Sequence, residues 1–296
     1  LGFNCYASDG VGISSSPKKC AAEFMEYYKK ETNQALISCG GGELMCEILE
    51  YIDFGQLKRL PPKWFMGYSD NTNLIFLLAT LTDTAAIYGP NVGAFGMEPW
   101  HASIQDAYEL LQGKKFEMQN YPMWEKESLK DEQHPLAAYH VTEPFLLHTN
   151  KKEGESFKIE GRLLGGCLDC LSHLRGTKFD KVKEFNQKYE DDGILWFLES
   201  CDLNVFEMRR TLWSLKQAGW FDTCRGFLIG RPGVQGQIIA GLDQYEAVLS
   251  ILSEFDVPIF MDLDIGHVAP MMPLICGSYG KVTVVGNDCC IAMSLQ

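Results

Sequence analysis

Short apolar runs that end in glycine, each followed by a helix-like segment, set the strongest limit on what this chain can become. Ala35-Leu-Ile-Ser-Cys39 runs into Gly40-Gly41-Gly42, Trp64-Phe-Met66 into Gly67, and Ala85-Ala-Ile-Tyr88 into Gly89-Pro90. Helical patterns lie between and beyond them: Lys18–Lys30 behind Ser16-Pro17, the stretch from Gly40 to about Ile52, the run after Leu74, and His101–Leu111. Strand-length apolar runs alternating with helices require a parallel sheet covered on both faces. The same grammar returns late in the chain. Gly161-Arg-Leu-Leu-Gly-Gly166 reads as opening a helix through Leu174, and Gly193–Glu199, Gly226–Gly230 and Pro258–Asp262 read as strands. Val205–Ala218 and Leu242–Glu254 read as helices, and Lys281–Met293 as a closing hairpin. Residues 114–160 lose periodicity, with exposed polar stretches predicted at Glu125–His134 and Lys151–Ser156. The predicted fold is α/β in two lobes: an N-terminal parallel sheet flanked by helices over 1–120, a linker or excursion over 121–160, and a mixed α/β C-terminal lobe over 161–296. The active site is expected in the cleft between the lobes.

Charge and cysteines narrow the function. The net charge of −13, from 26 Lys+Arg against 39 Asp+Glu, argues against nucleic acid and anionic membranes as partners, while allowing a local basic pocket. The eleven cysteines are odd in number and scattered, often within apolar runs, as are Cys39, Cys276 and the adjacent Cys289–Cys290. Buried free thiols in a reducing cytoplasm explain them better than a disulfide scaffold. Cys167 and Cys170 form a single CxxC, read first as packing thiols, then as a redox pair, and only weakly as a zinc site. No apolar run reaches membrane-spanning length.

The chemistry concentrates at strand ends. Gly67-Tyr-Ser-Asp-Asn-Thr72 follows a strand and opens a helix, so Ser69 sits on a sharp turn where backbone N–H groups surround it. Such a turn exposes a serine nucleophile beside an oxyanion site. Taken alone, Ser69 or Asp70 reads more simply as a helix cap. A nucleophilic serine needs a base, and the base an orienting acid. Of the six histidines, only His267 directly follows a strand and a glycine, and Glu199 ends a strand of its own. Residues just past the carboxyl ends of sheet strands are where α/β folds place their sites. Individually, a loop histidine and a solvated strand end are the simpler explanations; three complementary types together shift the balance.

These motifs resemble the LD-carboxypeptidase family of serine peptidases, which includes the microcin C immunity proteins. Gly67–Thr72 is similar to its nucleophile motif, Gly41-Gly42 to its glycine pair, Gly89-Pro90 to its Gly-Pro, and Gly161–Gly166 to its Gly-x-Leu-x-Gly-Gly. Leu195–Glu199, Arg210–Gly219 and Ile265-Gly-His267 continue the match over nearly the whole chain. Cys167 stands where asparagine is usual and Glu43 where an aromatic is. The family's first strand, helix and strand precede the segment beginning at Leu1. The resemblance implies a triad in which Ser69 attacks, His267 moves the proton and Glu199 orients the imidazole, with the N–H groups of Asp70 and Gly42 receiving the oxyanion. It implies no metal and no organic cofactor, and homodimers are common in the family. The implied substrate is a small peptide: murein tetrapeptide losing its terminal D-alanine or, alternatively, a peptidyl-nucleotide antibiotic. Arg210 and Arg162 are candidate clamps for a substrate carboxylate, each with a structural ion pair as the competing explanation. Trp124 is a candidate platform for a nucleobase. A non-catalytic binding protein on the same fold is the reading from another class.

Overall fold

The computed structural model describes residues 2, 4, 7–151 and 155–295; parts of Leu1–Asn4 and of Lys151–Ser156 thus lie outside the described residues. In chain order the strands are β1 (Ala35–Ile37), β2 (Trp64–Gly67), β3 (Ala86–Tyr88), β4 (Glu117–Gln119), β5 (Met123–Trp124), β6 (Glu143–Pro144), β7 (His148–Thr149), β8 (Ser156–Cys167), β9 (Ile194–Glu199), β10 (Cys224–Gly230), β11 (Ile259–Leu263), β12 (Leu274–Cys276), β13 (Tyr279–Val285) and β14 (Asp288–Ser294). The α-helices are α1 (Pro17–Lys29), α2 (Phe54–Leu57), α3 (Thr72–Thr82), α4 (Ala102–Leu111), α5 (Leu168–Leu174), α6 (Val182–Lys188), α7 (Val205–Gln217) and α8 (Gln244–Leu252).

Two large sheets and a two-stranded β5–β6 ribbon result among the described residues, and they support the α/β reading. The first has the order β1-β2-β3-β12; its first three strands are parallel and β12 closes it antiparallel to β3. The second has the order β4-β14-β13-β8-β9-β10-β11-β7, with β8 to β11 parallel in its centre. The β13–β14 hairpin and the short β4 and β7 flank that centre as antiparallel neighbours. Burial follows the environment. Along β8 the first five residues include no buried one, and the last seven are all buried, as expected where a one-sided ribbon becomes a sheet covered on both faces.

Helix α3 joins the sheets. Nine of its eleven residues are buried, because it is packed on more than one side, against β2 and β3 of the first sheet and β8 of the second. Phe76 on α3 stacks on Trp220 at 5.2 Å between ring centroids, and Trp220 stacks on Trp196 of β9 at 5.9 Å. A hydrogen bond from the Cys167 N–H to Thr72 Oγ1, 3.0 Å long, ties the first turn of α3 to the end of β8. The helix start is thereby fixed against the carboxyl ends of the second sheet.

Four features differ from the sequence reading. Gly161–Gly166 belongs to β8, and the helix begins only at Leu168. The reason is close approach: a Cβ on Gly166, at φ +142°, would lie 2.5 Å from the Thr72 side chain. The stretch 114–160 supplies β4 and β7 to the second sheet, as pairs and triplets of residues too short to show a period. Strand β12, from within 161–296, completes the first sheet rather than the second. Gly40-Gly41-Gly42 leads into a 3-10 helix at Met45–Tyr51 rather than a long α-helix.

Candidate active site

Ser69 follows β2 directly and adopts φ +63°, a left-handed conformation that costs a non-glycine residue about 1–3 kcal/mol. The turn holds it there. Its N–H donates to Tyr88 Oη at 3.4 Å, and its carbonyl accepts from Cys170 Sγ at 3.6 Å. Asp70 braces the same turn: its buried carboxylate accepts from the Met45 N–H at 2.8 Å and Asn73 Nδ2 at 2.9 Å. Burial pushes the Asp70 pKa upward against those hydrogen bonds. A Cβ on Gly41 would sit 3.2 Å from Ser69 Oγ, so this glycine's backbone borders the hydroxyl. Gly42 lines the same cavity.

Glu199 ends β9 and His267 lies four residues past β11. The imidazole Nδ1–H donates to Glu199 Oε2 at 2.9 Å. Glu199 is 1% exposed, and its other oxygen accepts from the Tyr88 hydroxyl. Gly266, at φ +96°, makes room: a Cβ there would fall 2.4 Å from the Glu199 carboxyl carbon. Burial alone would lower the His267 pKa, but the Glu199 carboxylate and the neighbouring Cys201 outweigh it and raise it above the usual imidazole value. The ring of Tyr68, beside Ser69 in the chain, packs on His267 with centroids 5.0 Å apart. Ser69 Oγ makes no hydrogen bond to His267 among the described residues; the two elements are adjacent and the Ser–His contact is open.

Tyr88 is the residue that sequence reasoning missed. It is fully buried on β3 and receives the N–H of Ser69 while donating to Glu199, linking the serine turn to the acid. Burial first, and then the Glu199 charge, raise its pKa far above the ordinary phenol value, so it stays a donor. Its only sequence signal is its place before Gly89-Pro90 at a strand end. Tyr88→Phe removes a hydrogen bond to a buried carboxylate, a change of about 1.5–3 kcal/mol. We expect kcat/KM to fall roughly ten- to hundredfold, by steady-state kinetics alongside a melting curve. Lost thermal stability with kcat/KM intact would make Tyr88 purely structural.

The candidate substrate residues occupy three different settings. Arg162 pairs in register with Ile194, at the opposite end of β9 from Glu199, about 17 Å away at the rise of a strand. There its guanidinium binds Asp192 at 2.7 Å and covers the Tyr189 ring, a structural ion pair. Arg210 is exposed on α7, whose buried face is Val205, Met208, Leu212 and Leu215, so the helix turns it outward. Trp124 is half-buried on β5, and its Nε1 donates to the Pro144 carbonyl at 3.2 Å. The Arg231 guanidinium lies 5.2 Å from the Trp124 ring centroid, and Arg231 is itself paired with Asp264 at 2.6 Å. The next residue, Glu125, donates its N–H to the Ala269 carbonyl, so this segment borders the His267 loop. The cavity beside Ser69 is small, about 90 Å³, and its lining includes Glu43, Asp70, Asp169 and Asp202. Acids there repel a substrate carboxylate.

Comparison with known proteins places this architecture. Residues 1–89 match the profile of the LD-carboxypeptidase N-terminal domain, and residues 160–282 match that of its C-terminal domain. The chain belongs to the LD-carboxypeptidase family. Members of this family are serine peptidases, and the chain is an enzyme of that class. A Treponema pallidum (strain Nichols) protein provisionally named a carboxypeptidase is 26% identical, over all of this chain and 82% of its own length. The Escherichia coli Microcin C7 self-immunity protein MccF is 25% identical, over 89% of this chain and 75% of its own. Among solved structures, MccF in complex with glutamyl sulfamoyl guanosine superposes with a TM-score of 0.80 at 20% identity, covering 99% of this chain and 85% of that one. An MccF-like protein from Streptococcus pneumoniae in complex with AMP gives 0.74 at 21% identity, covering 94% and 83%. At these identities the structural likeness establishes the fold. No helix among the described residues is long and apolar enough to cross a membrane.

Proposed function

We propose that this LD-carboxypeptidase-family enzyme hydrolyses an amide bond in a small peptide substrate through Ser69, His267 and Glu199. The observation that carries the reading is the buried Glu199 carboxylate, bound to His267 on one oxygen and to Tyr88 on the other, beside a serine held at φ +63°. Ser69 Oγ attacks the carbonyl, His267 takes its proton and returns it to the leaving amine, and Glu199 keeps the tautomer and stabilises the imidazolium. The N–H groups of Gly41 and Gly42 make no hydrogen bond to any described residue; with the Asp70 N–H they are the donors for the oxyanion. Catalytic Ser–His contacts are often long before substrate binds, which accommodates the open contact here. The setting is cytoplasmic in this proposal, in keeping with ten free cysteines among the described residues.

The first substrate to test is a murein tetrapeptide, with release of its terminal D-alanine. The second reading, an immunity-type amidase acting on an aminoacyl-nucleotide conjugate, is favoured by the engagement of Arg162 with Asp192 at the far end of β9 and by the acids lining the cavity. Incubation with both, followed by amino-acid analysis, separates them. Free D-alanine from the tetrapeptide supports the first; turnover of the nucleotide conjugate alone supports the second. Inertness toward both, in protein whose circular dichroism shows it folded, would return the chain to a binding role.

A further inference from the structure

The cavity beside Ser69 contains chemistry that amide hydrolysis does not use. Cys167 is one of its lining residues. One ligand atom each from Cys167, Glu199 and His267 lies within 4.8 Å of both others. Around a tetrahedral zinc, with bonds of about 2.0–2.3 Å, ligand atoms are about 3.3–3.7 Å apart, so the widest present gap exceeds that by about 1 Å. Rotamer adjustment of a cysteine or histidine covers such a distance. The donor set is a thiol, an imidazole and a carboxylate, which selects zinc over calcium or magnesium. The surroundings favour a cation: Asp169 Oδ2 is 3.3 Å from Cys167 Sγ, and Glu43, Asp70 and Asp202 line the same cavity. Cys201 lines it too, a further sulfur near the set.

We propose that Cys167, Glu199 and His267 form a soft divalent-cation site of the Zn²⁺ class, and that filling it switches off hydrolysis. Binding displaces the thiol proton of Cys167 and the imidazole proton shared with Glu199. Three protein ligands leave a fourth position for water or Cys201. A metal held this way takes the imidazole and carboxylate away from Ser69, so the chain becomes an amidase that free zinc silences and a chelator restores. The inhibitory half rests on the proposed hydrolysis; the binding half does not.

Cobalt(II) reports the site independently of catalysis, because thiolate ligation gives a charge-transfer absorption. Titration of the chelator-treated, reduced protein with Co²⁺ is expected to give such a band saturating at one equivalent, abolished by added Zn²⁺. Ser69→Ala keeps the band, since Ser69 is no ligand; this separates a failed metal site from a failed peptidase. Cys167→Ser loses it, while Cys46→Ser, a thiol lining the same cavity outside the ligand set, keeps it. Should Cys167→Ser fail to fold by circular dichroism, His267→Gln carries the same comparison. No saturable band, or one that survives loss of Cys167 or His267, overturns the site. Hydrolysis that proceeds at full rate with one Zn²⁺ bound overturns the switch.

Discussion

Ser69→Ala is expected to lower kcat by a factor on the order of 10⁶, as loss of a triad serine does elsewhere, with the fold unchanged. The second half of that expectation comes from the geometry. The serine hydroxyl makes no hydrogen bond to a described residue, whereas its N–H and carbonyl hold the turn through Tyr88 and Cys170. Alanine keeps those backbone bonds and keeps the Cβ, so the backbone cost at φ +63° is carried over rather than relieved. Burst and steady-state kinetics on whichever substrate turns over, with a melting curve for each protein, test both halves. Residual activity within about tenfold of wild type would remove Ser69 as the nucleophile, since a lost hydroxyl cannot be bypassed so cheaply.

Glu199→Gln is expected to cost about 10⁴ in kcat, the effect seen when a triad acid becomes an amide and the imidazole takes the wrong tautomer. It should also move the pH profile. In the wild type, burial disfavours the imidazolium but the Glu199 carboxylate and Cys201 more than compensate, so His267 holds its proton above the usual imidazole pKa. The base form is the deprotonated one. Activity therefore rises with pH through a limb displaced upward. Removing the carboxylate leaves burial as the larger influence, so the limb should shift to lower pH in the variant. Profiles of kcat/KM from pH 5 to 10, with chelator present, decide it. Coincident limbs would show that Glu199 does not set the protonation of His267.

How far these residues could be read from sequence depends on what each one needs. Ser69, Glu199 and His267 announce themselves because each closes a short apolar run, and in an α/β sheet the end of a strand is a definite place in space. Tyr88 closes such a run too, but buried tyrosines on strands are common packing residues; its role appears only when the fold brings β3 of the first sheet against β9 of the second. The settings of the two arginines were legible to different degrees. Arg210 could have been placed from its helix alone, since Val205, Met208, Leu212 and Leu215 mark the inward face and place residue 210 off it. Arg162 could not, because its position depends on whether Gly161–Gly166 is helix or strand. That in turn is decided by contacts with Phe197 and Thr72, far away in the chain. The short strands at 123–124, 143–144 and 148–149 carry no period at all, and tertiary pairing alone creates them.

Strand β12 has a bearing on how this enzyme is made. Tyr88 lies on β3, whose other neighbour is Leu274–Cys276, far along the chain from it. A ribosome adding about 5–20 residues each second delivers the half carrying Ser69 before the segment that completes its sheet. The nascent chain must wait with one side of β3 unpaired until the segment carrying β12 has been made. Splitting the gene between the two halves would leave the first fragment permanently in that unfinished state.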